Sequence, residues 1–342
     1  MAPQVHYYDI PDFRFQDGTV LPVARIAYLD INPSASKLAL IPTCFKGTLH
    51  STLNFCTSAL RDHRIIVAAQ FGNGESSSPS NTSSSFPARL DYRDSVAAQH
   101  ALLTQHLGIT TTTPIDVVVG FSMAGQCAYY WAATHPTLVK RAVIICSSAR
   151  TSGHNRQFLE GPAAALENAI DYAGKQVAPG QARALESPRG VRAFAKAYSA
   201  WLTSAEWYDQ EKWRELGYNS LAEYDEDATG ARYRGSFPDD LLAMLRAWQA
   251  GDVGVCFGGG EGGDVGLPLE DALGQIETPV LLMPCPTDQY FRWEASEREA
   301  AMLRNGRLEV IPSVWGHLAG AGVDPKAAAW MDDKIAEFLG ES

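Results

Sequence analysis

Ser122 stands in Val117-Val118-Val119-Gly120-Phe121-Ser122-Met123-Ala124-Gly125-Gln126, where an apolar run gives way to small residues and then to a helical pattern. A serine on a sharp strand-to-helix turn needs small neighbours, because the strand end and the helix start nearly touch, and the turn lifts the hydroxyl above the sheet. The usual spacing is G-x-S-x-G; Ala124 departs from it by one methyl group, and Gly125 follows. Such a hydroxyl becomes a nucleophile when a base takes its proton. On its own the segment is also an ordinary glycine-rich connection, so the base and its partner must be sought elsewhere in the chain.

His317 closes the segment Ser313-Val314-Trp315-Gly316-His317 just beyond an apolar run. An imidazole titrates near neutrality, so it can take the serine proton and return it to a leaving group. Asp288, in Pro284-Cys285-Pro286-Thr287-Asp288-Gln289-Tyr290, follows another apolar run, at the strand end where open parallel sheets carry their sites. Aspartate is also a common turn former, but the order Ser122, Asp288, His317 is the one this kind of serine turn uses. Glu294 and Glu297 fall in the helical pattern beyond the turn. Of the other histidines, His6, His50 and His63 precede the serine, His100 and His106 lie on a helix, His135 ends one, and His154 leads into the next region. Acyl transfer also needs two backbone N–H donors aimed at the developing oxyanion. One is expected from Met123; the other from Thr43-Cys44-Phe45-Lys46-Gly47-Thr48, at Phe45 or Cys44.

The elements that must hold these groups are strands buried on both faces, which read as short continuous apolar runs. Lys37–Thr43, Arg64–Gln70, Ile115–Gly120, Arg141–Cys146, Pro279–Pro284 and Leu308–Ile311 fit that description, and Val23–Asp30 is a partly alternating strand. Helical spacing is expected over Tyr92–Leu107, Gln126–Thr134, Trp293–Leu303 and Ala327–Leu339, and a Ser, Pro and Asn cluster at Ser76–Ser85 is a loop. Strand, tight turn, helix, strand is the rhythm of a parallel sheet. After Ser148 the character changes to Ala- and Trp-rich amphipathic stretches from Leu159 to Ala250, then a Gly-rich segment from Gly251 to Gly266. The expected organisation is a core from residues 1–149 and 277–342 with a helical lid, 150–276, inserted between two halves of one sheet.

The 342 residues, 46% hydrophobic and 20% charged, suffice for a buried core. A formal charge of -11 argues against a phosphate-tracking surface, so nucleic acid is not an expected partner. No apolar stretch reaches the roughly 18 residues of a membrane span, and Met1–Ile10 lacks the basic start and apolar run of a signal peptide. Cys44, Cys56, Cys127, Cys146, Cys256 and Cys285 form no CxxC pair, which suits reduced thiols in a cytoplasmic protein with no metal site.

Further sequence features point to a known family. Phe71-Gly72-Asn73-Gly74-Glu75-Ser76-Ser77-Ser78-Pro79-Ser80-Asn81, Phe86-Pro87, Asp94-Ser95-Val96-Ala97-Ala98-Gln99, Met123, Gln126, Asp288 and the Gly316-His317 pair resemble the homoserine O-acetyltransferase-like branch of the α/β-hydrolase superfamily over nearly the whole chain. That resemblance implies the α/β-hydrolase fold, a mostly parallel central sheet flanked by helices with an inserted helical lid. It implies the triad Ser122, Asp288, His317, acylation of Ser122 followed by transfer to a hydroxyl or water, no bound cofactor, acyl-CoA only as a substrate, and a homodimer through the lid. The transferases resemble one another in an Asp directly after the histidine, able to pair with the substrate ammonium; here Leu318 stands there. An apolar residue cannot offset the desolvation of a buried ammonium, so homoserine is not the expected acceptor.

Trp201, Trp207, Trp213, Tyr198, Tyr208 and Trp248 make the lid a candidate apolar roof, with Trp201, Tyr198 and Leu318 as expected substrate contacts, although lid aromatics also simply pack helices together. Arg189, Arg192 and Lys196 could face a carboxylate or form a solvated helix face. The leading expectation is a carboxylic-ester hydrolase acting on a small to medium organic ester. The alternatives are an acyl-CoA-dependent O-acetyltransferase with an alcohol other than homoserine, a non-catalytic ligand-binding protein on the same fold, and carbon-carbon bond cleavage or cyclisation by the same triad.

Overall fold

A computed structural model describes residues 2–82, 86–172, 188–258 and 266–340. Parts of the expected serine-rich loop, of the expected lid and of the expected Gly-rich stretch therefore lie outside the described residues.

Eight strands form one sheet in the order β1-β2-β4-β3-β5-β6-β7-β8. The central ones, β3 (Lys37–Pro42), β4 (His63–Ala68), β5 (Val117–Phe121), β6 (Ala142–Ile145) and β7 (Val280–Met283), are nearly all buried, as apolar runs without alternation require. From β4 through β3, β5, β6 and β7 to β8 (Gly306–Leu308) every pairing is parallel. Beyond β4, β2 (Val20–Ile31) and β1 (Val5–Arg14) pair antiparallel. The sheet is that of the α/β-hydrolase fold. No helix among the described residues is long and apolar enough to cross a membrane.

Strand pleating sends alternate residues into two hydrophobic layers. Leu38, Leu40, Val118, Ile144 and Leu282 share one cluster with α1 (Tyr92–Ala101) and α2 (Met123–Thr134). Ile41, Val119, Ile145, Leu281 and Met283 share the other with Met331, Ile335 and Phe338 of the C-terminal helix, Pro325–Gly340.

The strand β1 is not expected from sequence. Its Val5 to Arg14 mixes Tyr, Asp and Pro on an outer edge, where only part of one face is covered and the apolar signal is diluted. The last strand lies earlier than Leu308–Ile311. Glu309 N–H and Ile311 N–H still donate to Leu282 O and Pro284 O of β7, at 2.9 and 2.8 Å, but the regular ladder is Gly306–Leu308. The expected helix Tyr92–Leu107 ends its α-helical part at Ala101 and continues as a π-turn, Leu102–His106, closed by Leu107 N–H on Leu102 O.

Between β6 and β7 the chain leaves the sheet through α3 (Gly153–Glu167), α4 (Pro188–Ser199), α5 (Ala205–Asp209), α6 (Leu221–Thr229), α7 (Pro238–Ala250) and α8 (Leu269–Gln275). Its two stems meet where Arg150 bridges Asp252 and Thr151 N–H donates to Gly251 O. Gln126, fully buried on α2, anchors them: its Nε2 donates to Thr151 Oγ1 and its Oε1 accepts from Tyr92 OH. The 71–81 segment reaches the same insertion through Ser80, whose N–H and hydroxyl donate to Asp240 of α7.

Candidate active site

Ser122 lies between β5 and α2 with φ 59° and ψ -127°, a sparsely populated conformation for a residue with a side chain, costing about 1–3 kcal/mol. The surroundings enforce it. Ser122 N–H is pinned to Ile145 O of β6 at 2.9 Å, and a Cβ on Gly120 would come within 2.1 Å of Ala124 O. A Cβ on Gly125 would lie 2.5 Å from Ser147 Cβ. The tight approaches thus fall at 120 and 125, which is why a methyl is accommodated at Ala124.

His317 begins a short helix, His317–Gly320, and the imidazole is turned inward by Gly316. Gly316 has φ 60°, and a Cβ there would strike the Thr203 backbone carbon at 2.7 Å, so the lid backbone presses on the residue before the base. His317 Nε2 is 2.9 Å from Ser122 Oγ, and His317 Nδ1 is 2.7 Å from Asp288 Oδ2. The second carboxylate oxygen, Oδ1, accepts the N–H groups of Tyr290 and Phe291 at 2.8 and 3.2 Å. All three residues are at most 2% exposed. One hydrogen-bonded line therefore runs from a fixed carboxylate through an imidazole to a hydroxyl, in the geometry that lets serine attack a carbonyl while the histidine carries the proton.

The N–H groups of Met123 and Phe45 donate to no acceptor among the described residues, and both residues are buried. Burial pushes the Cys44 thiol up to about 11. The Cys146 thiol stands beside the acid and base, its sulfur within 4.8 Å of their ligand-type atoms, and burial raises it well above the usual thiol range.

Around the imidazole the surface is aromatic. Phe121, Tyr290 and Phe291 lie 4.6, 4.9 and 5.7 Å from its ring. Tyr198 of α4 packs on Phe45 and Tyr290, each at 5.1 Å, and Trp248 of α7 stacks on Phe291 at 5.2 Å. Trp201 stands further out, against His154 and Phe158. Leu318 is buried, and its N–H donates to Leu202 O of the lid. Trp207, Trp213 and Tyr224 form a separate packing cluster with Trp315. Arg192 and Lys196 pair with Glu226 and Asp225 of α6 on an exposed face, and Arg189 N–H donates to Asp171.

Sequence reasoning missed Tyr290 and Phe291 as site residues. The available signal was their position directly after Asp288, where the turn aims successive N–H groups back at the carboxylate. A larger recess of about 470 Å³, lined by Pro114, Pro136, Lys140 and Glu277, lies where β5, β6 and β7 begin, at the opposite end from Ser122.

Residues 40–178 match the family described as alpha/beta hydrolase fold. The chain is 30% identical over 336 residues to the ethyl acetate hydrolase of Pseudomonas veronii, covering 95% of this chain and 92% of that protein. It is 29% identical over 251 residues to a homoserine O-acetyltransferase of Mycolicibacterium smegmatis, across 68% of this chain and 60% of that one. The solved structure of the acetyl esterase MekB aligns with a TM-score of 0.89 at 29% identity, covering 99% of this chain and 98% of that chain.

Proposed function

This chain belongs to the α/β-hydrolase fold family, in the branch that holds acetyl-ester hydrolases alongside homoserine O-acetyltransferases, and from that premise we propose that it hydrolyses carboxylic esters of short acids through an acyl-Ser122 intermediate. The observation that carries the reading is the continuous Asp288–His317–Ser122 hydrogen-bonded line at a strained serine turn. Ser122 Oγ attacks the ester carbonyl as His317 Nε2 takes its proton. The carbonyl oxygen becomes an oxyanion held by the N–H groups of Met123 and Phe45, and the tetrahedral species collapses as His317 protonates the departing alcohol. Water, deprotonated by the same nitrogen, then releases the acid and restores Ser122.

Asp288 holds Nδ1–H of His317, fixing the tautomer that leaves Nε2 free to accept, and compensates the imidazolium that forms. The aromatic surface of Tyr198, Tyr290, Phe291 and Trp248 lowers the local dielectric and suits an apolar alcohol portion. Leu318 supplies no carboxylate for an amino-acid ammonium, which favours water or a simple alcohol over homoserine at the acyl-enzyme. Transfer from acyl-CoA to another alcohol uses the same steps and is the second reading, supported by the transferase relative.

The test is turnover of ethyl acetate and p-nitrophenyl acetate by wild type and Ser122→Ala, with and without acetyl-CoA and a panel of alcohols. Serine-dependent acid release at a rate indifferent to added alcohol is expected. CoA release that requires an alcohol would replace hydrolysis by transfer. Full activity in Ser122→Ala would overturn the mechanism.

A further inference from the structure

Next to the serine turn, in the layer of Ile41, Val119 and Ile145, lies a cavity of about 100 Å³. Phe121 and Ala124, on either side of Ser122, line it together with Cys44. Its polar lining groups are already engaged: Ser51 and Thr52 hydroxyls donate to Thr48 O, and Asn54 Nδ2 donates to Ala321 O. The remaining lining is predominantly carbon, and apolar cavities stay dry and take apolar groups.

The stereochemistry of ester hydrolysis says which half of the substrate reaches it. The leaving oxygen must face His317 Nε2 to be protonated. His317 does not line the cavity, whereas Phe121 both lines it and packs on the imidazole at 4.6 Å, so the Phe121 ring stands between the two. The cavity's other neighbours, Cys44 and Ala124, adjoin Phe45 and Met123, whose N–H groups the proposed mechanism assigns to the carbonyl oxygen of the acyl side. The alcohol is left to the aromatic surface above His317.

We propose that this cavity is the acyl-chain pocket and caps the acid at about a butyryl group, independently of the alcohol. The size follows from volume: an apolar cavity of about 150 Å³ holds a benzene ring, so 100 Å³ holds roughly three or four carbons. Ala124 contributes to the cap, since its methyl replaces the hydrogen that the usual glycine would present.

The inference rests on the ester-hydrolase reading, and the experiment separates the two. kcat/KM is measured for p-nitrophenyl esters from acetate to octanoate and, in a second series, for acetates of ethanol to octanol. The proteins are wild type, Val119→Ala, which enlarges the cavity, and Ile41→Phe, which fills it. In wild type, kcat/KM is expected to fall at least tenfold between butyrate and hexanoate, about the discrimination an apolar pocket exerts on added methylenes. Val119→Ala should raise the hexanoate-to-acetate ratio at least tenfold, and Ile41→Phe should lower the butyrate-to-acetate ratio by as much. The octyl-to-ethyl ratio of the acetates should keep its wild-type value in both. Acyl profiles that match wild type in a folded Val119→Ala would overturn the assignment, whether or not Ile41→Phe folds; so would an alcohol profile that shifts as far as the acyl one. A wild type that hydrolyses no ester in either series overturns the ester-hydrolase reading itself, and the pocket with it.

Discussion

Replacing Asp288 by Asn tests the mechanism at its most constrained point, because the structure dictates which way the new amide must face. The position of Oδ1 receives two N–H donors, from Tyr290 at 2.8 Å and Phe291 at 3.2 Å. Only the amide oxygen can satisfy them, so the Asn NH2 must occupy the other site, 2.7 Å from His317 Nδ1. A donor facing Nδ1 forces the proton onto Nε2, and Nε2–H then points at Ser122 Oγ instead of accepting from it. The base is lost while the geometry stays. The same change in the chymotrypsin-type triad lowers kcat about 10⁴-fold, and that is the magnitude to expect here, about 5 kcal/mol of barrier. The assay is kcat and KM for p-nitrophenyl acetate between pH 6 and 9, with thermal unfolding to show that the variant is folded. KM should change little and kcat should fall by about four orders of magnitude. An Asp288→Asn enzyme within tenfold of wild type would refute the assignment of His317 as a base held in one tautomer.

Gly316→Ala, whose Cβ would meet Thr203 backbone at 2.7 Å in a φ 60° conformation, should lose stability by about 1–3 kcal/mol and turnover by at least a hundredfold, seen in paired melting and p-nitrophenyl acetate assays. Trp207→Ala, in the packing cluster with Trp213, Tyr224 and Trp315, should cost about 3–5 kcal/mol in urea unfolding while kcat per folded molecule at low temperature stays within a fewfold of wild type. Glu299 is buried, accepts from Tyr129 OH and Ala149 N–H, and is pushed up to about 7 by burial. Because the folded state binds this proton more tightly than the unfolded chain, whose carboxyl titrates near 4.5, its contribution is fully present below about 4.5 and is lost as pH rises through about 7. Glu299→Gln should therefore gain on wild type by up to about 3 kcal/mol between pH 4.5 and 8 in chemical unfolding, and a difference independent of pH would contradict the burial argument.

How much of this was legible beforehand depends on how local the cause is. Gly120, Gly125 and the apolar run before them mark the serine turn because the constraint acts between residues a few positions apart. The apolar runs that became β3, β5, β6 and β7 were legible for a similar reason: burial on both faces leaves no room for polar residues. The edge strand β1 was not, since with Tyr7 exposed its pattern does not separate inside from outside. Nor could composition distinguish the lid aromatics that surround the site, Tyr198 and Trp248, from Trp207, which packs against Trp315, and Trp213, which packs on Trp207.

The sequence by itself determined the identities and chain order of Ser122, Asp288 and His317, the strand ends that carry them and the presence of an insertion between β6 and β7, because each is written in neighbouring residues. Only the tertiary structure decided that Tyr290 and Phe291 fix the carboxylate, that Thr203 leaves no side chain at Gly316, and that Phe121 parts the imidazole from a cavity of about 100 Å³. Those features depend on distances between segments far apart in the chain, which are set by how the layers pack and leave no periodic trace in any one of them.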